Sequence, residues 1–129
     1  MTDVMHTAQT LMTDYEKALE LARTWVRLMS IGICECAIVE KATIARPYGW
    51  FFNYYPTEPG AAVGGAGPLL VDRINFEVRV FGSAYGVWES IANFEATVPR
   101  EWLDLTDADF EERRMEAERE VARKVATRG

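Results

Sequence analysis

An α+β fold, with an N-terminal helix packed on an antiparallel sheet of about four strands, follows from three observations along these 129 residues. Apolar residues from Tyr15 to Met29 recur at the three-four spacing of a one-sided helix. Four later runs of β-branched, aromatic or small apolar residues are bounded by glycine, proline and asparagine. The densest of them, Tyr48-Gly49-Trp50-Phe51-Phe52-Asn53-Tyr54-Tyr55, carries six aromatic rings, too many for one small core to hide, so some of them are expected at a surface.

The first element is the helix over Asp14 to Met29, with Tyr15, Ala18, Leu19, Ala22, Trp25, Val26 and Met29 as its buried stripe. Thr13 and Glu16 have the spacing of a capping box, and Gly32 supplies a stop. Residues 1–12 show neither a cap nor a sustained stripe and are read as irregular. Cys34 to Ile44 then switches to strand-like composition and ends before Arg46-Pro47. Pro47 and Gly49 turn the chain into an aromatic strand over Trp50 to Tyr55, which pairs with the first strand as an antiparallel hairpin. Strand alternation sends Trp50, Phe52 and Tyr54 to one face and Phe51, Asn53 and Tyr55 to the other.

Thr57 to Pro68 is a loop, because its glycines and prolines interrupt both helix and strand. It lacks the Lys-Ser/Thr pair of a phosphate-binding loop and leads into a strand, which argues against a nucleotide site. Leu69 to Asp72 and Glu77 to Phe81 form a second hairpin around Arg73-Ile74-Asn75, where Asn75 suits the unusual backbone angles of a tight turn. After Gly82 and Gly86, Val87, Ile91 and Phe94 have helical spacing, giving a short helix that ends near Glu95. Pro99 separates it from Trp102 and Leu105. Asp107 is a suitable N-cap for a charged C-terminal helix with Asp109–Arg113 and Glu120–Lys124 pairs. The expected organisation is one domain over residues 1–106 with a helical extension over 107–129. Its thin stripe of Phe110, Ala117, Val121 and Val125 leaves two options, a solvated helix or a homo-oligomer contact.

A net charge of -6, with most of the acidity before residue 107, argues against nucleic acid and anionic membranes as partners and favours a basic protein. No apolar run reaches the length of a membrane span and no secretory leader is legible, so the expected location is cytoplasmic. Cys34 and Cys36 are the only cysteines and His6 the only histidine, so two free thiols are expected, with no metal, no cofactor and no histidine-assisted nucleophile. Glu35, Glu40, Asp72 and Glu77 could pair as carboxylates, but no apolar environment is legible that would raise one pKa for acid catalysis. The expectation is a binding protein and not an enzyme.

Three segments, Tyr48 to Tyr54, Gly67-Pro68-Leu69-Leu70-Val71-Asp72-Arg73 and Gly86-Val87-Trp88-Glu89, occur in an order that resembles the YrhB-like domain family of bacterial immunity proteins. The likeness covers about Tyr15 to Val98. It implies a helix on an antiparallel sheet and a cytoplasmic antidote that neutralises a cognate toxin encoded nearby in a polymorphic toxin system. The alternative is a chaperone-like or scaffold protein that binds several partners through the same apolar surface. The chain departs from the family in its alanine-rich loop, in lacking a Gly-Asn before the third strand and in its charged extension. Tyr48, Tyr55, Glu58, Asp72, Trp88 and Glu89 are the candidate partner contacts, while Trp50 and Phe52 are assigned to the core.

Overall fold

The computed structural model describes residues 13–32, 34–58 and 67–128. The irregular N-terminus with His6 and most of the glycine-rich loop lie outside the described residues. Helix α1 spans Asp14–Met29 and is closed at its start by the expected box, in which the Glu16 amide donates to Thr13 Oγ1 (3.1 Å) and the Thr13 amide donates to Glu16 Oε2 (3.3 Å). At the far end Gly32 takes a left-handed φ of 80° as the chain turns away from the helix.

The first hairpin forms, but with an interruption. β1 (Cys36–Ile38) pairs with β4 (Tyr54–Pro56), and β2 (Ile44–Arg46) pairs with β3 (Gly49–Phe52). Between them a short 3-10 turn over Glu40–Ala42 faces Asn53, so several residues on one strand oppose a single residue on the other. Asn53 keeps the two halves aligned: its carbonyl accepts from the Val39 amide at 2.9 Å, and its side-chain amide donates to the Ala42 carbonyl at 2.9 Å. Each expected strand is therefore split in two.

The main sheet has the antiparallel order β2-β3-β5-β6, where β5 is Leu69–Asp72 and β6 is Val78–Val80. Helix α2 is Val87–Glu95, α3 is a single turn over Arg100–Leu103, and α4 is Asp107–Arg128. Pairing continues along β3, with Gly49 opposite Asp72 and Phe51 opposite Leu70.

Alternation along β3, β4 and β5 feeds two cores on opposite faces of the strands. On one face, Ala18, Leu19, Ala22 and Val26 of α1 cover Phe52, Tyr54, Leu69 and Val71, with Trp50 at the margin. On the other, Ile91 of α2 covers Tyr48, Phe51 and Leu70, and Phe94, Trp102, Leu103 and Leu105 close the edges. The covering helix that the aromatic run requires is thus α2, supplemented by α3. All four residues of β5 are buried because both faces are roofed. Rings in the second core pack edge-on or tilted, with centroids 5.6 Å apart for Phe81 and Phe94 and 5.7 Å for Phe51 and Phe81.

The C-terminal helix begins on the domain and leaves it. Thr106, one residue before the expected Asp107, caps it: the Asp109 amide donates to Thr106 Oγ1 (3.3 Å) and the Thr106 amide to Asp109 Oδ2 (2.8 Å). The Thr106 amide and hydroxyl both donate to the Asp109 carboxylate and, with a smaller effect from the charge of its expected partner Arg113, hold it below its usual pKa. Neither that pair nor Glu120–Lys124 is within ion-pair distance. Phe110 is buried under the Arg73 guanidinium (4.3 Å), which also reaches Asp14 (2.8 Å) and Asp107 (2.6 Å), and Arg114 contacts Asp14 at 3.2 Å. Beyond Phe110, residues 111–127 are exposed.

Candidate functional site

Tyr48 and Asp72 were expected at a partner interface, and the structure encloses both completely. Tyr48 sits on the second core because it lies in the tight turn between β2 and β3 and points under α2. Its hydroxyl donates to Glu95 Oε2 at 2.8 Å, and the same carboxylate receives Arg46 through two bonds of 2.6 and 2.8 Å. Arg46 on β2, Tyr48 and Glu95 at the end of α2 thus form a lock between sheet and helix. Asp72 ends β5 with its carboxylate turned into the hairpin. It accepts from the amides of Ile74 (3.0 Å), Asn75 (2.6 Å) and Glu77 (3.2 Å), and Arg79 lies 4.0 Å away. The left-handed residue of this turn is Phe76, at φ 57°, and not Asn75. Phe76 is held there by packing against the first core and by the Lys17 ammonium 4.1 Å from its ring.

Burial pushes the Tyr48 phenol well above its usual pKa, and the Glu95 carboxylate raises it further. The native state then keeps a proton that the unfolded chain gives up above about pH 10. The sign follows: stability from the neutral phenol is complete below that pH and falls above it, by about 1.4 kcal/mol per pH unit for one tyrosine. Burial also raises Tyr54, which adds to the slope. Urea titrations between about pH 9 and 11 should show a shallower decline for Tyr48→Phe than for the parent. Equal declines would refute the assignment.

The remaining expected contacts are outside. Tyr55 is 55% exposed and Trp88 67%, Glu58 and Glu89 are exposed, and Tyr85, which the sequence reading did not single out, is 56% exposed. Tyr55 and Tyr85 meet at a shallow cleft of about 170 Å³ bordered by Asn53, Pro68, Gly86 and Val87. Trp88 and Glu89 occupy the first turn of α2, directly after Gly86 and Val87. Tyr55 is exposed because β4 continues past the roof that α2 gives to β3, so the side chain following buried Tyr54 has no helix above it. Tyr85 precedes the Gly86 cap of α2 and was legible only as an aromatic residue in a Gly-Ser-Ala-Tyr-Gly turn.

Acidity is concentrated elsewhere, in a second cleft of about 490 Å³ where Glu101, Asp104, Asp109, Glu112 and Glu116 surround Arg113. Of the carboxylates weighed for acid chemistry, Glu40 pairs with Arg23 at 2.9 Å, Glu77 reaches Arg79 at 3.2 Å, Glu35 is exposed and Asp72 serves its turn. Each is tied to a separate structural partner or to solvent. Cys34 and Cys36 are free thiols with sulfurs 3.9 Å apart. Partial burial, then Cys36 and Glu58, push the Cys34 thiol up, so it stays protonated. Among the described residues, no group of three metal-ligating side chains gathers and no helix is long and apolar enough to cross a membrane.

No family model, curated protein or solved structure matches this chain. The likeness to YrhB-like domains therefore rests on the three sequence segments alone.

Proposed function

We propose that this protein is an antidote of the immunity type, which binds a toxin domain and neutralises it by blocking its active site or its substrate. The observation that carries the reading is the exposure of Tyr55 and Tyr85 at one cleft, with Trp88 exposed in the helical turn that follows its Gly86-Val87 border, while the other rings of the aromatic run are sealed or half-buried. Tyrosine and tryptophan bury large areas on docking at small entropic cost, and the exposed Glu89 adds acid beside Trp88. The order of the three segments that resemble YrhB-like domains supports a toxin as the partner class, and the acidic cleft beside α4 suits a basic toxin by long-range attraction.

The test uses the product of the neighbouring toxin gene, in a pull-down and in co-expression for rescue of growth. Trp88→Ala is expected to weaken the complex about 30-fold, the equivalent of about 2 kcal/mol, without changing the fold. No complex and no rescue by the parent protein would end this reading. The shallowness of the cleft favours one second reading, a chaperone-like protein with many partners. Suppression of aggregation of unrelated clients, lost in Trp88→Ala, would select it. Self-association through α4 fits the exposure of Met115, Val121 and Val125, and a single-chain mass by light scattering at all concentrations would exclude it.

A further inference from the structure

Both cysteines of the chain line one groove, a cavity of about 680 Å³ between the second half of α1 and strand β1. Cys34 and Cys36 share it because side chains two residues apart on an extended segment emerge on the same side. Each is partly exposed, and their sulfurs lie 3.9 Å apart. The further hydrogen-bond contact of the two thiols among the described residues is a weak one, from the Cys36 sulfur to the Cys34 carbonyl at 3.9 Å. The dithiol is therefore open to a small solute and tied to no other side chain among the described residues.

The backbone around the pair is held at one end and less constrained at the other. Cys36 sits opposite Pro56 in the β1–β4 ladder and packs against the first core, and the Glu35 carbonyl before it accepts from the Thr57 amide at 2.9 Å. Cys34 precedes β1, so its side chain is the one that moves. Two steps of extended chain span roughly 6.6 Å, just inside the range of Cα separations that a disulfide bridges. The sulfurs have then to approach by about 2 Å to reach bonding distance. A bond made near the limit of its span is also easily reduced.

We propose that Cys34 and Cys36 form a dithiol site that reacts with a low-molecular-weight disulfide and closes reversibly into a Cys34–Cys36 disulfide. One protein thiol gives up its proton and attacks a sulfur of the small disulfide, making a mixed disulfide and releasing one small thiolate, which takes up that proton. The second protein thiol then loses its proton and attacks the protein sulfur of the mixed disulfide, releasing the other small thiol. In sum the protein gives up two electrons and two protons, and the small disulfide is reduced to two thiols. Burial, then Cys36 and Glu58, keep the Cys34 thiol protonated, so the exchange is slow at neutral pH and quickens as the pH rises. This site is separate from the aromatic cleft and stands whether or not the toxin reading holds.

The probe is the disulfide of β-mercaptoethanol, incubated with the full reduced chain, followed by a maleimide to trap remaining thiols and by intact mass. The expected product is a single chain lighter by two hydrogens that takes up no maleimide, and excess β-mercaptoethanol should return both thiols. Cys34→Ser and Cys36→Ser, at partly exposed positions, should keep the parent circular dichroism and each stop at one mixed disulfide. Because the fold holds the sulfurs together, closure of the mixed disulfide should be at least about tenfold faster in the folded chain than in the same chain in urea at the same pH. A parent chain that carries two mixed disulfides, that links to a second chain, or that keeps both thiols would overturn the proposal. Closure no faster in the folded chain than in urea would overturn it as well, since the fold would then contribute nothing to the site.

Discussion

Asp72→Ala should destabilise the fold by about 2–3 kcal/mol, because a fully buried carboxylate that accepts from three turn amides at once is lost and those amides are left to find water. The effect should exceed that of Asp72→Asn. An asparagine keeps one carbonyl oxygen for the Ile74 and Asn75 amides but presents an NH₂ group to the Glu77 amide and removes the charge facing Arg79. The loss of charge matters because the Arg79 Nε has no hydrogen-bond partner and relies on the nearby carboxylate. Equilibrium urea unfolding of the two variants gives the comparison. A cost below about 1 kcal/mol for alanine would mean that the turn amides find water readily when the carboxylate leaves, and that the hairpin is not held as described.

Gly49→Ala is expected to be as damaging, at about 3 kcal/mol, for a different reason. Gly49 faces Asp72 across the β3–β5 ladder, and a Cβ there would run into the Val71 carbonyl oxygen and come within 2.8 Å of the Asp72 Cα. Both obstacles are backbone, so no side-chain rotation relieves the clash. The strands would have to part at the point where the Arg73 amide donates to the Tyr48 carbonyl at 2.6 Å. Thermal unfolding should show a lower midpoint together with faster exchange of the Arg73 amide. An unchanged midpoint would show that the two strands can separate without cost.

The two helices that roof the sheet could be read from the sequence to the residue. Thr13 with Glu16 marked the start of α1, and Gly86 with the spacing of Val87, Ile91 and Phe94 marked α2. The break in the first hairpin was not legible, because no glycine or proline lies between Val39 and Thr43 to signal it. It depends on Asn53 reaching the Ala42 carbonyl across the sheet, a contact between residues eleven apart. Alternation of the aromatic run was legible and correct, since Trp50, Phe52 and Tyr54 do face α1. What alternation cannot reveal is whether the opposite face is also roofed, and for that reason Tyr48 was assigned to the surface.

Asp72 carried a local signal that points the other way. An aspartate at the head of a turn commonly accepts from amides two and three residues on, and Asp72 does so with Ile74 and Asn75. On the candidate surface, Tyr55 and Trp88 were legible as excess aromatic residues at element ends. Tyr85 and the α1–β1 groove were not, because each depends on the relative placement of segments that no local spacing encodes.

The double roofing of β5 has a consequence for how the chain is made. Leu69, Leu70 and Val71 leave the ribosome after α1 but before α2 and α3, so the side of the strand carrying Leu70 is uncovered until about thirty more residues have been synthesised. During that interval a nascent chain presents a half-finished sandwich whose open side is lined by Tyr48, Phe51 and Leu70, the kind of surface that sticks to other growing chains. Slowing translation just after Phe81 would lengthen this window, and the yield of folded protein should fall with it.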